Sequence, residues 1–282
     1  MSMPKNRISS FAMQRPLLFV ILLTIAWLAV FILSMALAAQ VLGKPYGDPS
    51  LILWGDLATA ACLLLLAWRL GWLKACGIAR LGRWQIWLFA LASLVYLAWA
   101  NLYALYGKAT FDFWALLRLP DARSILLTQL AVGVSEEFLF RGLVLYTLLR
   151  AWGHTRRGSL GALLVASLLF ALLHLSDVLT FQLSAPAALL LSLQTFLVAL
   201  WWGVLVMLSG SLWPAVLQHW LVNALAGIQG LSMSLVEPDT LAYARNLYFS
   251  IPLALIGLWL AARFFKPGSL SASPPQSRRS AL

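Results

Sequence analysis

Glu136 and Glu137 stand side by side in the apolar run VGVSEEFLFRGLVLY, residues 132 to 146, and Arg141 follows one helical turn later. A charged side chain at bilayer depth costs about 2.5–3.5 kcal/mol even on insertion-based scales, so such groups persist where they face a protein interior. On a helix turning about 100° per residue, Glu137 and Arg141 share one face with the acid N-terminal, the favourable order for an i,i+4 pair. They can neutralise each other. Glu136 is turned away onto the face of Gly133 and Phe140, without that partner and with a small residue beside it. This arrangement assigns Glu137 and Arg141 to structure and Glu136 to chemistry. The plainer alternative, one structural ion-pair network joining helices, also accounts for this stretch taken alone.

Two further apolar runs carry the other reactive groups. In LLFALLHLSD, Phe170 and His174 are i and i+4, so a ring and an imidazole leave the same face. In SLWPAVLQHWLVNALAG, His219 and Asn223 have the same spacing. Either pair could serve only as an interhelical hydrogen bond, a contact worth about 0.6–2 kcal/mol in membranes. The set is more informative: of three histidines, two sit inside apolar runs, each with a distinctive partner on its face. A carboxylate, two imidazoles and an amide donor can activate a water and stabilise the oxyanion of a cleaved amide.

The elements that must position these groups are membrane helices. The 282 residues are 62% hydrophobic and 10% charged, with a mean hydropathy of +0.87, far more apolar than a soluble domain. Apolar runs long enough to cross about 30 Å of hydrocarbon occur near 16–42, 51–73, 84–106, 124–150, 159–177, 185–209, 212–231 and 246–265. The expected fold class is therefore all-α, a polytopic bundle of about eight transmembrane helices. The short link SGS at 209–211 predicts a tight turn before Pro214 starts the next helix. With both termini on the cytoplasmic side, fourteen Lys and Arg fall in inner segments and five in outer ones, as the positive-inside rule requires. The net charge of +11 is scattered in clusters between apolar runs, which suits anionic lipid headgroups and gives no nucleic-acid site.

The first run has a basic lead and an ALA at 36–38, but its apolar stretch is too long for a signal-peptide core, so it reads as an uncleaved anchor. The expected organisation is a cytoplasmic segment 1–15, transmembrane helices over 16–120, a core over 121–231, a last loop and helix over 232–266, and a disordered Ser/Pro-rich tail over 267–282. An interfacial or re-entrant helix is expected within 107–123. Cys62 and Cys76 show neither metal nor redox spacing.

Three motifs carry a resemblance. EEFLFR (136–141), FALLH (170–174) and HWLVN (219–223) occur in the order seen in the CPBP intramembrane proteases, a family that includes the type II CAAX prenyl proteases and many bacterial Abi or bacteriocin-immunity proteins. The block GSLWPAVLQHWLVNAL is similar to that family's last conserved segment, and the likeness covers roughly 120–230. It implies a CAAX-protease-like helical bundle and an intramembrane endopeptidase acting on a membrane-associated peptide or protein, prenylated or not. It also implies that Glu136 activates water, that His174 helps position it, and that His219 and Asn223 bind the developing oxyanion. Glu137 and Arg141 fill the remaining motif positions as a supporting pair, and Phe170 packs against His174.

Two features leave alternatives open at this level. Glu136, His174 and His219 could form a zinc site with an open position for water, yet there is no His-Glu-x-x-His, and a metal-independent glutamic mechanism is the preferred expectation. A proton-coupled transporter, or a non-catalytic scaffold or immunity protein, would use the same residues differently; a transporter would more often show repeated halves with broken helices. Straight spans also bring the residues to different depths. About 12 residues precede Glu136 from the outer side, about 15 precede His174 from the inner side and about 7 precede His219 from the inner side, at about 1.5 Å each. Offset or tilted helices must reconcile them. The expected setting is a bacterial plasma membrane.

Overall fold

Proline needs no amide hydrogen in the first turn of a helix, and Pro16 opens the first long helix after Arg15. The computed structural model describes residues 7–46, 48–106, 121–176, 183–232 and 240–268. Among them there is no strand. In chain order the helices are α1 (Arg7–Gln14), α2 (Pro16–Leu42), α3 (Leu51–Arg69), α4 (Trp84–Tyr106) and α5 (Ala122–Glu137). Helix α5 runs without a break into a π-helix (Phe138–Leu145) and then α6 (Tyr146–Trp152). After α7 (Arg156–Leu173) comes a 3-10 turn (His174–Ser176), then α8 (Ala185–Ser209), α9 (Trp213–Ser232) and α10 (Thr240–Phe264).

Each of the eight apolar runs is helical, with α5, the π-helix and α6 together forming the fourth. Among the described residues five helical stretches are long and apolar enough to cross a membrane: Pro16–Leu42, Leu51–Arg69, Arg156–Leu173, Ala185–Ser209 and Tyr243–Phe264. The protein is an integral membrane protein of the all-α class. The expected interfacial segment at 107–123 and the Ser/Pro-rich tail fall largely outside the described residues.

The middle of the bundle is the π-helix. All eight of its residues are buried, and Phe140 and Leu139 are completely so. A helix that is apolar all round must be surrounded. Helix α5 packs between α3 and α9, α9 also lies along α4, and α8 packs on α7 and α10. The exposed apolar side chains lie mainly on α2, α3, α4 and α10, the rim that faces lipid.

The turn predicted at SGS is present, but it is buried inside the bundle. Ser211 and Leu212 are fully inaccessible and Ser209 is 5% exposed. The loop between α3 and α4 covers it. Leu212 N–H donates to the Gly77 carbonyl at 3.2 Å, Arg83 N–H to the Ser209 carbonyl at 3.2 Å, Ser211 Oγ to the Arg80 carbonyl at 2.6 Å, and Trp213 Nε1 to the Ile78 carbonyl at 2.9 Å. So close an approach requires glycine twice. Gly77 and Gly82 have φ of +86° and +74°, and a Cβ on Gly82 would stand 2.6 Å from the Ser209 carbonyl oxygen.

This inset turn resolves most of the depth mismatch. Helix α9 starts level with the π-helix: Leu212 lies against Gly142, and the Phe138 and Trp213 rings meet at 6.3 Å. His219 therefore begins its count from well inside the bundle rather than from the membrane surface.

The segments expected on one side do share one end of the bundle. Phe11, Phe19, Trp72 and Tyr146 form a chain of ring contacts from α1 to α6, and Gly268 N–H donates to the Gly153 carbonyl at 2.8 Å. Arg150 lies over the Trp72 and Tyr146 rings at the same end.

Candidate active site

Helices α5 and α9 and the 3-10 turn after α7 bring Glu136, Glu137, His174 and His219 to one region, with Arg141 from the π-helix and Trp202 from α8. Its centre is the pair expected from spacing: Arg141 Nη1 donates to Glu137 Oε1 at 2.8 Å, with side chains 3% and 0% exposed. Arg141 is satisfied further by the Ala199 carbonyl at 3.5 Å and lies 4.4 Å over the Phe170 ring and 5.4 Å from the Trp202 ring centre. A desolvated guanidinium over aromatic faces gains about 2 kcal/mol or more from each good contact.

Glu137 is not occupied by Arg141 alone. His219 Nδ1 lies 2.9 Å from the same Oε1, while His219 Nε2 lies 3.6 Å from Glu136 Oε2. Beyond its own helix Glu136 faces His219, whose imidazole stands between the two carboxylates. Since a carboxylate accepts, Nδ1 carries a hydrogen and Nε2 is the atom turned to Glu136. Glu136 differs from Glu137 in access, its side chain being 19% exposed.

His219 is held from behind. The Trp202 indole stacks on it at 4.5 Å and 21°, and donates from Nε1 to Gln218 Oε1 at 3.0 Å. Gln218 in turn donates to the Ala90 carbonyl and to Ser93 Oγ on α4. In the 3-10 turn after α7, the His174 Nδ1 lies 3.1 Å from the Phe170 carbonyl, an acceptor only, so Nδ1–H donates and Nε2 keeps its lone pair. The Phe170 ring meets both imidazoles, at 5.0 Å for His174 and 5.9 Å for His219. Asn223 is half-buried one turn beyond His219.

Gly133 explains why α9 reaches this close. The sequence suggests free space beside it, but the α9 backbone occupies that space: an added Cβ would lie 3.2 Å from Trp220 N and 3.5 Å from the Val216 carbonyl oxygen. Gly133→Leu is expected to push α9 away and reduce any activity of the site by about 10²-fold, while Gly133→Ala has a smaller effect. Cleavage rates and thermal unfolding of the two variants check this.

Among the described residues no three His, Cys, Asp or Glu side chains gather in a way that could hold a metal ion, and the Phe170 ring contacts both imidazoles.

With this geometry in hand, the comparisons with known proteins become informative. Residues 118–225 match the Rce1-like type II CAAX prenyl endopeptidase family. The Rce1-like match agrees with the CPBP resemblance and covers all three motifs. It extends over somewhat more than a third of the chain and leaves α1 to α4 outside. No curated protein and no solved structure gives a match. The Rce1-like match supports a CAAX-type intramembrane endopeptidase in general terms, with a membrane-associated protein as its kind of substrate.

Sequence reasoning passed over Trp202, which carries no motif signal beyond standing in an apolar helix. Gln218 was visible as a polar residue inside a span, next to His219, and its two-ended amide contacts are what that position requires.

Proposed function

We propose that this protein hydrolyses a peptide bond of a membrane-associated substrate, with Glu136 as the general base for water. The observation that supports this most is the asymmetry of the two carboxylates around His219: Glu137 is sealed in the interior with Arg141 and Nδ1 both on its Oε1, while Glu136 keeps access. In this reading Glu136 takes a proton from water as the oxygen attacks the carbonyl carbon. Asn223, from its side-chain amide, and His219, from an Nε2 that carries a hydrogen alongside Nδ1 in this step, donate to the oxyanion that forms. His174, with its Nε2 lone pair free of the Phe170 carbonyl, orients the water. Glu136 then returns the proton to the amine nitrogen as the carbon–nitrogen bond breaks, so the group acts as base and then acid.

The role of Glu137 is to fix the tautomer and direction of His219, and that of Arg141 is to hold the Glu137 carboxylate in place through its Oε1. The mechanism is metal-independent, the protein belongs in a bacterial plasma membrane, and both termini lie on its cytoplasmic side, the end of the bundle where the Lys and Arg collect.

The reading is tested with wild type and Glu136→Gln in liposomes, against a panel of membrane peptides that includes a prenylated CAAX-type peptide and its unmodified counterpart. The wild type is expected to cleave at least one, with or without a chelator. Loss of cleavage on chelation, restored by Zn²⁺, would overturn the metal-independent mechanism. Equal cleavage by both proteins would remove Glu136 from the chemistry.

A further inference from the structure

Asp56 is a second carboxylate buried among the helices, in a part of the chain that the family match does not reach. It is 2% exposed on α3, and no basic side chain forms an ion pair with it among the described residues. An ionisable group so placed calls for a partner and a reason. Its partner is Ser135, the residue directly before Glu136.

Ser135 is completely buried and is gripped from three positions. Trp27 Nε1 on α2 donates to its Oγ at 3.0 Å, Thr59 Oγ1 on α3 lies 2.7 Å from it, and the Asp56 carboxyl lies against the same hydroxyl. Thr59 Oγ1 is itself within 3.0 Å of the Gly55 and Asp56 carbonyls, which can only accept, so the Thr59 hydrogen has two backbone takers. The Ser135 hydrogen is then left for Asp56 or Thr59. Trp27 fills one acceptor site of the Ser135 oxygen, and the single Ser135 hydrogen is contested by Thr59 Oγ1 and the Asp56 carboxylate.

The place of this cluster along the chain gives it consequence. Ser135 lies in the last α-helical turn before the π-helix at Phe138. Glu136 and Glu137 close the α-helical stretch, so the change of hydrogen-bond pattern there sets how they are turned relative to Arg141 in the π-helix, and π-segments are tolerated only where surrounding contacts hold them. We infer that Asp56 is a positioning residue for Glu136, holding Ser135 so that the α-to-π junction keeps one rotation. Helices α2 and α3 would then belong to the machinery that aims the site, although the motifs lie elsewhere. This rests on the role of Glu136 given above.

The test uses full-length Asp56→Ala, Asp56→Asn and Ser135→Ala in liposomes, with two readouts. In cleavage assays, Asp56→Ala and Ser135→Ala are expected to lower kcat by roughly ten- to a hundredfold with KM little changed. Asp56→Asn, which keeps shape and hydrogen bonding, should restore most of it. Amide hydrogen exchange over residues 136–145 is expected to quicken in Asp56→Ala and not in Asp56→Asn.

Wild-type kcat in Asp56→Ala, or an Asn variant as inactive as Ala, would overturn the inference. So would unchanged exchange over 136–145. If Asp56→Ala does not fold, Ser135→Ala and Asp56→Asn decide. Should the wild type cleave nothing, the exchange comparison still stands by itself, which separates failure of this inference from failure of the proposed function.

Discussion

Glu136→Gln is expected to lower kcat by about 10²- to 10⁴-fold, the range lost when a positioned general base is removed. KM and the unfolding temperature should stay near wild type. The substitution keeps the size of the side chain and removes only its ability to take a proton. It should also fold, because Glu136 is the more accessible of the two carboxylates and its contact with His219 is long, at 3.6 Å. The check is initial rate against peptide concentration, with thermal unfolding of the same preparation. A drop in kcat and kcat/KM by the same factor marks an interaction made in the transition state. A fall confined to KM would make Glu136 a binding residue, and a collapse in folded yield would make it structural.

Arg141→Ala has the second large effect, and it falls on stability. Removing one partner of a buried pair leaves the other charge unpaired and costs about 3–5 kcal/mol. Here the abandoned group is Glu137, which is fully inaccessible and would keep only His219. The ring faces of Phe170 and Trp202 lose their cation as well. The expected outcome is a sharply reduced yield of folded protein and early unfolding in detergent. Arg141→Lys should recover little, since the guanidinium uses separate nitrogens for Glu137 and the Ala199 carbonyl while an ammonium is a point charge. Replacing both charges, Arg141→Met with Glu137→Leu, should be more stable than Arg141→Ala because no charge is stranded. Normal stability with no activity in Arg141→Ala would instead move Arg141 into the chemistry itself.

These two residues show what a linear reading of the chain can reach. The Glu137–Arg141 pair is an i,i+4 relation inside one helix, so spacing alone predicts it, and the structure has it at 2.8 Å. The spans are equally legible because their apolar runs are long; α2 and α8 have the bounds that the sequence suggests, 16–42 and 185–209. What lies across helices is not encoded in spacing. His219 meeting Glu137 joins residues 82 positions apart, and nothing in HWLVN says which of two adjacent glutamates it faces.

The buried turn at 209–212 was hidden for a related reason. A Ser-Gly-Ser link looks like a surface hairpin, and only the loop carrying Gly77 and Gly82, more than a hundred residues earlier, lets it sit inside the bundle. The same holds for the π-helix. FLFRGLVL has no local mark that separates π from α, and the difference depends on packing from α2, α3, α7 and α8. The different depths expected of straight spans are narrowed by the tertiary placement of α9, whose first residues lie beside the π-helix.

Hydrolysis in water enriched in oxygen-18 tests the central claim most directly. Wild type and Glu136→Gln would be given the same membrane-embedded peptide, and the new C-terminus read by mass spectrometry. The account predicts a cleavage product carrying the heavy oxygen from the wild type and almost none from Glu136→Gln. Labelled product at equal rates from both proteins would contradict it.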